Sequence, residues 1–506
     1  MGSGRYLEFC ECSSFWGSVV NQPRIIIIGG GVAGMMAATR LAEQNIPVRI
    51  VSDGSLGLSD AMMATGGLAA AVDVKGEGDS FEKHFEDTIR AGDYLANQEL
   101  PRQMCLFAPE LAGLLDRMGV LFARSETFSL DGRRLSGHRF QRLLFAETGI
   151  GGQVVSALRR QVQRFVASEM IAVYEGLEFL SLVRTKDGKC GGLVAMDHKT
   201  MELVSFSCAA VILATGGFGR LFKNSTQAIN NTGSAISILY QQGVPLANME
   251  FIQSHPTTLP GPDKSKLISE SLHSTGVTVV PVPAVHATLG GLWTDDDHST
   301  NIPGVLAAGD CIFQYHGAKR MAGNGLTASL YGGLKAARSA LRYLSGWSEG
   351  DSSALLQNEI KRQHSFNQEL MDLTGSENGH QIYEELSHEM NENFLGVRQN
   401  KKLAELDKKI EELKVRFQKM TLFDRGTFAN RELVFARRLK NMLELACVVT
   451  RSAWARNETR GVHVKSDFPM RDDERFLKTT KAWATPDGPR IEYEDVTMKY
   501  LSPLKN

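Results

Sequence analysis

The sequence is poor in the features that mark several large classes of protein. Its 506 residues include only seven cysteines, an odd number spread over the whole chain, which argues against a disulfide framework and for a reducing compartment. No stretch reaches the roughly 18 apolar residues that a membrane-spanning helix needs. Neither charge sign dominates, because 56 Lys and Arg face 57 Asp and Glu, so the composition does not indicate a nucleic-acid partner. The 42% apolar and 22% charged content is that of an ordinary globular protein.

Residues 1–22 carry no strong signal. Cys10 and Cys12 form a lone C-x-C that could contribute to a metal site, but no second Cys/His pair lies near it, so a leader without metal is the favoured interpretation. Glu8 and Glu11 interrupt any continuous apolar core, so a secretory signal is not expected. We therefore predict no metal site and a protein that is cytoplasmic or peripheral to a membrane.

The first clear element is a β-branched strand, Arg24–Ile28, that ends in a glycine motif. The motif is G-x-G-x-x-G, and a helix and a second strand at Val48–Val51 follow it, which is the context of a dinucleotide-binding unit. Gly29 allows the tight turn, Gly31 lets the backbone approach a pyrophosphate, and Gly34 lets the helix pack on the strand. The start of the helix would present free N–H groups to the anion. A Gly-rich turn before an ordinary buried helix is the alternative.

The contact to the cofactor ribose is less well defined. Ser52 ends the second strand and is the residue predicted to contact the cofactor there. An acidic residue that bonds the cofactor ribose is usually expected at this point. Asp53 follows Ser52 directly, and whether it is that ligand is left open.

Two later strands, Ala209–Leu213 and Gly304–Leu306, also run into glycines. A single nicotinamide domain would not need them, whereas two-dinucleotide-domain flavoproteins return to the first sheet in this way, so the order favours FAD over NAD. The helix predicted over 325–344 would point its start at the flavin ring. The residues predicted to contact FAD at these endings are Thr215, Gly216 and Asp310.

From residue 351 the sequence becomes rich in Glu, Lys, Gln and Asn and poor in Gly. Two apolar stripes at helical spacing predict packed helices, with a helix–helix seam favoured over a partner site. The stripes are Leu403, Leu406, Ile410, Leu413 and Phe417, and Leu433, Ala436, Leu439, Leu443 and Ala446. We therefore predict an α/β fold with an FAD-binding domain at 23–350, a C-terminal helical domain at 351–470, and an irregular charged tail at 471–506.

Three side chains in the middle of the chain suggest the chemistry. Arg320 lies among small residues just before the flavin-facing helix, where its planar fork could reach a carboxylate. His255 and His286 could act as neutral or cationic donors to a second carboxylate or a developing charge. Each histidine alone is more often structural. Together the three residues suggest a small dicarboxylate that is oxidised or reduced at a carbon–carbon bond.

The sequence resembles the flavoprotein subunit of succinate dehydrogenase and fumarate reductase, in particular the menaquinone-linked type with a single cytochrome b anchor. L-Aspartate oxidase, a sister family, shares many of its features. The resemblance spans about residues 24–478 and rests on Lys75–Ser80, Leu115–Val120, Asn231–Ala235, Phe251–Thr257, His316–Arg320, Arg460–His463 and Asp467–Pro469.

This resemblance implies roles for particular residues. His255, His286 and Arg320 would contact the dicarboxylate, with Ser269 and Glu270 near it. Hydride would pass between a substrate carbon and flavin N5, a separate arginine would transfer the proton, and electrons would leave through an iron–sulfur subunit to quinone. Partner subunits would hold the chain on the cytoplasmic face of the membrane. The residues along FAD would be Gly29, Gly31, Gly34, Thr65, Gly66, Gly67, Asp310, Asn324 and Leu326.

The sequence departs from the family pattern where respiratory members attach FAD covalently to a histidine. Asp60 stands in place of that histidine, and Thr65 replaces a glutamine. We therefore predict non-covalent FAD with a lower potential, which favours fumarate reduction.

A second departure follows Leu267–Leu272, where the family inserts a capping domain that carries the proton-transferring arginine. Here the chain runs on directly, with the deficit between Gly276 and Val277. A site without this lid should stay wet, and a positioned proton donor is typically worth about 10² to 10⁴ in rate. His273, which stands where the family motif has an arginine, is a nearby residue that could replace the missing acid, and which group does so is left open. The alternatives to a dicarboxylate oxidoreductase are therefore a catalytically silent FAD-binding subunit, an aspartate oxidase-like enzyme, or a flavin reductase with an open site.

Overall fold

The structure is a computed structural model that describes residues 24–135, 137–258, 282–347, 350 and 352–503. Cys10, Cys12 and the rest of the leader lie outside the described residues. Within these ranges, no helix combines the length and the apolar character that crossing a bilayer requires.

The strands are β1 (Ile25–Ile28), β2 (Val48–Ser52), β3 (Leu68–Ala69), β4 (Gly132–Arg133), β5 (Leu143–Leu144), β6 (Ile171–Glu175), β7 (Leu177–Arg184), β8 (Cys190–Asp197), β9 (Leu203–Ser207), β10 (Ala210–Leu213), β11 (Leu246–Ala247), β12 (Ile252–Thr258), β13 (Val282–Thr288), β14 (Gly291–Leu292), β15 (Val305–Ala307), β16 (Val397–Arg398), β17 (Val464–Lys465), β18 (Lys478–Thr485) and β19 (Gly488–Asp495). The helices are α1 (Val32–Ala42), α2 (Phe81–Ala91), α3 (Glu99–Arg117), α4 (Ile150–Ala167), α5 (Ser234–Gln241), α6 (Asn324–Ser345), α7 (Ser353–Met371), α8 (Gly379–Phe394), α9 (Asn400–Phe417), α10 (Arg431–Ala455) and α11 (Asp473–Phe476).

A five-stranded sheet in the order β15-β10-β1-β2-β6 forms the centre of the first half of the chain. All of its pairs are parallel. The isoleucines of β1 are at most 4% exposed, as expected for a parallel strand that is covered on both faces. The carboxyl ends of β1, β10 and β15 therefore lie at one edge of the sheet. This arrangement confirms the predicted dinucleotide-binding fold and brings its three glycine-containing strand ends together.

Helices α1 and α6 pack against each other and against this sheet. Small residues make the close approach possible, since a Cβ atom added at Gly333 would lie 2.3 Å from the carbonyl oxygen of Ala33. The position of α6 follows from this packing. Its first turn is held at the edge of the sheet where the strands end.

The second half of the described chain contributes the packed helices that the apolar stripes predict. Leu403, Leu406, Ile410, Leu413 and Phe417 on α9 are all at most 2% exposed. Helices α8 and α10 pack on α9. The stripe on α9 is therefore a helix–helix seam within the core.

The chain after residue 470 differs from the predicted irregular tail. Strands β18 and β19 form a hairpin, and β18 pairs with β11 to give a four-stranded sheet in the order β14-β11-β18-β19. Thr479, Thr480 and Ala482 are buried, while half of the eight residues of the outer strand β19 are exposed and none is buried. The charged residues of an exposed edge strand hid the strand pattern in the sequence.

A buried network of charges ties this hairpin to the end of α10. Arg456 Nε donates to Glu250 Oε1 at 2.6 Å, and its NH1 donates to Glu458 Oε1 at 2.8 Å. Arg460 donates to both oxygens of Glu458 at 2.8 and 2.9 Å. All four side chains have no exposed surface. Arg456 also donates to the carbonyl oxygens of Phe476 and Lys478, so the network fixes the start of β18.

Candidate active site and cofactor cavity

A cavity of about 1280 Å³ lies at the edge of the central sheet where β1, β10 and β15 end. It extends from the glycine motif after β1 to the start of α6 and the two histidines on β12 and β13. The predicted cofactor contacts that line it are Gly29, Gly31, Ser52, Thr65, Gly66, Gly67, Thr215, Gly216, Asp310 and Leu326. Two others, Gly34 and Asn324, lie beside the cavity without lining it.

The glycine motif has the geometry that a bound pyrophosphate requires. Gly29 has a φ of +109°, and a Cβ atom at Gly34 would lie 2.0 Å from the carbonyl oxygen of Gly29. At Gly31 an added Cβ atom would meet only the Ser59 side chain, at 3.5 Å, so the backbone is open to the cavity. Helix α1 begins at Val32, and its first N–H groups have no partner within the helix. The residues present therefore fit a dinucleotide cofactor.

Helix α10 supplies a residue to the far end of the cavity. Asp53, directly after β2, accepts from Arg438 at 3.3 Å and from Asn230 at 3.3 Å. Arg438 also donates to Glu178 at 2.8 Å. Burial raises the pKa of Asp53, and the nearby Arg438 opposes the rise. Asp53 is thus held in an ion-pair network at the wall of the cavity, next to Ser52.

The other end of the cavity combines the start of α6 with an aspartate and an arginine. Asp310 Oδ2 lies 3.8 Å from a terminal nitrogen of Arg320. Burial raises the pKa of Asp310, and Arg320 partly counters this effect. Gly325 makes room for Arg320, because a Cβ atom there would lie 2.6 Å from the guanidinium. The guanidinium is therefore placed over the first turn of α6.

The side chain of Asn324 makes hydrogen bonds inside the protein and is not part of the cavity wall. It is fully buried, its Oδ1 lies 2.9 Å from His84 Nε2, and its Nδ2 donates to Thr88 Oγ1 at 2.9 Å. These bonds anchor the first residue of α6 to α2. Asn324 thus positions the helix that borders the cavity.

His255 and His286 come together because β12 and β13 are antiparallel neighbours. Their ring centroids are 5.6 Å apart, and both rings line the same cavity as Arg320. Burial lowers the pKa of both histidines, and for His286, with Arg320 also nearby, it falls to about 3. Both rings are therefore neutral near pH 7. The other predicted substrate contacts, Ser269 and Glu270, lie outside the described residues, as does the candidate acid His273.

Thr226 fixes the orientation of the His286 ring. Its Oγ1 lies 2.9 Å from Nδ1 of His286, and the Thr226 backbone N–H donates to the carbonyl of Val285. When the hydroxyl donates to Nδ1, the ring hydrogen sits on Nε2, which can then donate to a carboxylate. Thr226 lies 60 residues from its partner, and the sequence held no signal that links the two.

Gln253 holds the backbone of Arg320 through two hydrogen bonds. Its Oε1 accepts from the Arg320 N–H at 2.8 Å, and its Nε2 donates to the Arg320 carbonyl at 3.1 Å. Gln253 is two residues before His255, so one strand carries both a histidine that lines the cavity and the support of the arginine. The only signal for it in the sequence was its place within the Phe251–Thr257 motif.

Comparisons with known proteins agree with this geometry. The FAD binding domain family matches residues 24–281 and 280–326, and the fumarate reductase flavoprotein C-terminal family matches 383–506. The succinate dehydrogenase flavoprotein subunit of Bacillus subtilis is 37% identical over 576 aligned positions, which cover 96% of this chain and 98% of that protein. The fumarate reductase flavoprotein subunit of Escherichia coli is 28% identical over 582 positions, which cover 96% and 95%. A solved structure of E. coli quinol fumarate reductase superposes with a TM-score of 0.88 at 27% identity, and the match covers 96% of this chain and 98% of that chain.

The fold and the cavity define an FAD-dependent flavoprotein oxidoreductase. More specifically, the chain belongs to the family of succinate dehydrogenase and fumarate reductase flavoprotein subunits. The resemblance found in the sequence is thereby confirmed.

The chain nevertheless lacks an internal segment that the B. subtilis succinate dehydrogenase flavoprotein subunit has. The alignment to the B. subtilis protein has 576 positions against 506 residues here, so at least 70 positions of that protein have no counterpart. The family match is divided at residues 280–281, inside the connection between β12 and β13. That connection, 259–281, has 23 residues, whereas domains typically have about 50 or more. It is too short to hold a capping domain.

Proposed function

We propose that this flavoprotein transfers hydride between a four-carbon dicarboxylate, succinate or fumarate, and FAD. The observation that carries the proposal is the convergence of His255, His286 and Arg320 on one cavity, beside the start of α6. Two neutral histidines and one fixed cation match a substrate with two carboxylates, and the carbon–carbon bond between those carboxylates is the one that is oxidised or reduced. FAD, when bound, supplies the hydride chemistry.

The residues divide into those that would hold the cofactor and those that would hold the substrate. Gly31 and the start of α1 would hold the pyrophosphate, and Asp310 would accept from the ribityl hydroxyls. Arg320 would bind one substrate carboxylate with its planar fork. His286, in the tautomer whose Nδ1 accepts from the Thr226 hydroxyl, would donate to the same substrate from Nε2, and His255 would face it from the neighbouring strand.

We propose that electrons leave through an iron–sulfur subunit to quinone, and that a cytochrome b anchor holds the complex on the cytoplasmic face of the membrane. The support is family membership together with the nearly complete superposition on quinol fumarate reductase. Affinity purification from the native host tests it. An iron–sulfur protein that co-elutes in equal amount is the expected result, and its consistent absence in gentle detergent contradicts the proposal.

Steady-state assays of the FAD-loaded protein test the reaction. Succinate oxidation with an artificial dye and fumarate reduction with reduced viologen should both proceed above the background of free FAD. L-Aspartate and a flavin-reductase assay without dicarboxylate serve as the comparison. Turnover of aspartate alone would assign the chain to the aspartate oxidase type, and no turnover despite bound FAD would indicate a silent subunit.

We predict that FAD is bound without a covalent link, because Asp60 occupies the position where the resemblance places the attaching histidine. The Asp60 carboxylate already accepts hydrogen bonds from Ala228 and Asn231, and it is a weaker nucleophile toward the flavin than a histidine ring. Mass spectrometry of the denatured protein should give the mass of the polypeptide alone, with all flavin in the supernatant after acid precipitation. A polypeptide that retains the mass of FAD would contradict the prediction.

Replacement of Gly31 by alanine should weaken FAD binding without unfolding the protein. The added methyl group meets only Ser59 inside the protein but projects toward the pyrophosphate, and such overpacking costs about 1–3 kcal/mol, or roughly tenfold to a hundredfold in Kd. Flavin fluorescence titration of the apoprotein measures the change. Gly152→Ala on α4, where an added Cβ atom has nothing closer than 3.9 Å, is the matched control. If Gly31→Ala and Gly152→Ala bind FAD with the same Kd, the pyrophosphate does not lie against Gly31.

A further inference from the structure

Asp60 lies in the wall of the cofactor cavity and bridges two separate parts of it. It belongs to a short helical turn over 60–63, and both of its carboxylate oxygens are engaged. Oδ1 accepts from the backbone N–H of Ala228, and Oδ2 accepts from Asn231 Nδ2 at 2.6 Å. Both partners are neutral donors, and among the described residues no cation is bound directly to the carboxylate.

The charged groups that face Asp60 lie at the end of the cavity beside the start of α6, where the flavin ring is proposed to bind. They are the carboxyl group of Asp310, before α6, and the guanidinium of Arg320, in the loop that leads into α6. The segment 226–231 contributes the neutral groups of Ala228 and Asn231. The side chain of Glu147, in the loop before α4, also lines the cavity but is exposed to solvent.

Burial is the main influence on the ionisation of Asp60. It raises the pKa to about 7; the Ala228 N–H and Arg320 act to lower the value, and the negative charge of Asp310 adds to the rise. A carboxyl group that is half ionised near neutral pH responds strongly to any new charge beside it. The bound cofactor gains such a charge when it is reduced.

We propose that Asp60 couples the redox state of the bound FAD to the uptake of a proton by the protein, and that its negative charge lowers the flavin reduction potential. The proposal rests on the FAD binding proposed above. It assigns to Asp60 a positioning and electrostatic role, separate from the substrate contacts His255, His286 and Arg320.

In this coupling, reduction takes up two protons in all, one on the bound flavin and one on Asp60. FAD takes up two electrons and one proton to give FADH⁻, with the electrons supplied by the dicarboxylate or by an added reductant. The new negative charge repels the Asp60 carboxylate, which takes one proton from solvent and becomes a neutral carboxylic acid. A tenfold change in proton concentration shifts a two-electron potential by about 30 mV for each proton taken up. The ionised carboxylate thus makes the potential fall more steeply with pH.

The test measures the FAD reduction potential of Asp60→Asn by spectroelectrochemistry over a range of pH. Asparagine can still accept from Ala228, and the Asn231 amide can turn to restore the second bond. At about pH 8.5, where Asp60 is ionised, the variant should have a more positive potential than wild type. At about pH 5.5, where Asp60 is protonated in wild type, the two potentials should coincide. Glu147→Gln, which removes an exposed carboxylate from the same wall, should match wild type at both pH values.

A second measurement does not depend on the variant. The difference infrared spectrum between oxidised and reduced wild-type protein near pH 7 should show a new carbonyl band of a protonated carboxylic acid, which shifts when aspartate is labelled with ¹³C. Absence of this band, or an equal potential difference between Asp60→Asn and wild type at low and high pH, overturns the proposal. Failure of the wild-type protein to bind FAD at all would instead overturn the proposed function, and flavin absorbance shows this before any potential is measured.

Discussion

Replacement of Arg320 by glutamine is expected to lower kcat/KM for succinate and fumarate by about 10²- to 10⁴-fold, the cost of removing one partner of a buried, charge-assisted hydrogen bond. The guanidinium is the fixed positive charge that the proposed mechanism uses beside the two neutral histidines. Its backbone is held by Gln253, and its side chain lies over α6. The loss should appear in both kcat and KM, because the proposed mechanism uses the arginine both to bind and to orient the substrate.

Two further variants separate binding geometry from charge alone. Arg320→Lys keeps the charge but loses the planar fork, so it should recover only part of the activity. Arg342→Gln on the last turn of α6, where the arginine is 60% exposed and pairs with Asp297, should leave kcat/KM unchanged. FAD absorbance should be normal in all three proteins. Arg320→Gln with activity close to wild type would exclude this residue as the carboxylate ligand.

Replacement of Glu458 by glutamine is expected to destabilise the protein by about 3–5 kcal/mol, the cost of leaving buried charges without a partner. Glu458 accepts hydrogen bonds from Arg456, from two nitrogens of Arg460, and from the backbone N–H of Asp472. Glutamine removes the negative charge and turns an NH₂ group toward one of the arginines. The buried cluster then holds two guanidinium groups against Glu250 and the partly exposed Asp473.

Urea denaturation followed by circular dichroism measures this effect. The exposed pair of Arg490 and Glu492 on β19 offers the matched control, since Glu492→Gln removes an ion pair that is worth less than about 1 kcal/mol. Because the hairpin of β18 and β19 is tied to the network, limited proteolysis of Glu458→Gln should begin near residue 478. If Glu458→Gln and Glu492→Gln unfold at the same urea concentration, the buried network does not stabilise the fold.

The parts of the fold that could be predicted from the sequence are those with a short-range signal. A β-branched strand that runs into glycines occurs three times, and a parallel sheet places all three ends at one edge. The α9 stripe likewise follows from helical periodicity alone. Strand β18 was missed although its hairpin partner β19 follows it directly, because charged residues hid the strand pattern. Its other partner, β11, lies more than 200 residues earlier, and no local pattern specifies that pairing.

In the active site, too, some residues could be predicted from the sequence and others could not. Arg320, His255 and His286 could be found as unusual residue types in a plausible context, and the resemblance to a known family gave them roles. Their supports could not be found, because Thr226 and Gln253 are ordinary polar residues whose importance lies in the contacts they make across the fold. Asn324 illustrates the opposite case. The resemblance predicts a position along FAD for it, and the structure shows that its side chain holds α6 against α2.

The hairpin of β12 and β13 gives the fold a position that tolerates insertion. His255 and His286 lie on its two paired strands, and the chain between the strands leaves and returns at one end of the hairpin. The pairing of the strands holds the two rings together, so a longer connection adds only a modest loop-closure cost. A domain could therefore be gained or lost there during evolution without moving either histidine, and the same place is the natural one to graft a lid in the laboratory.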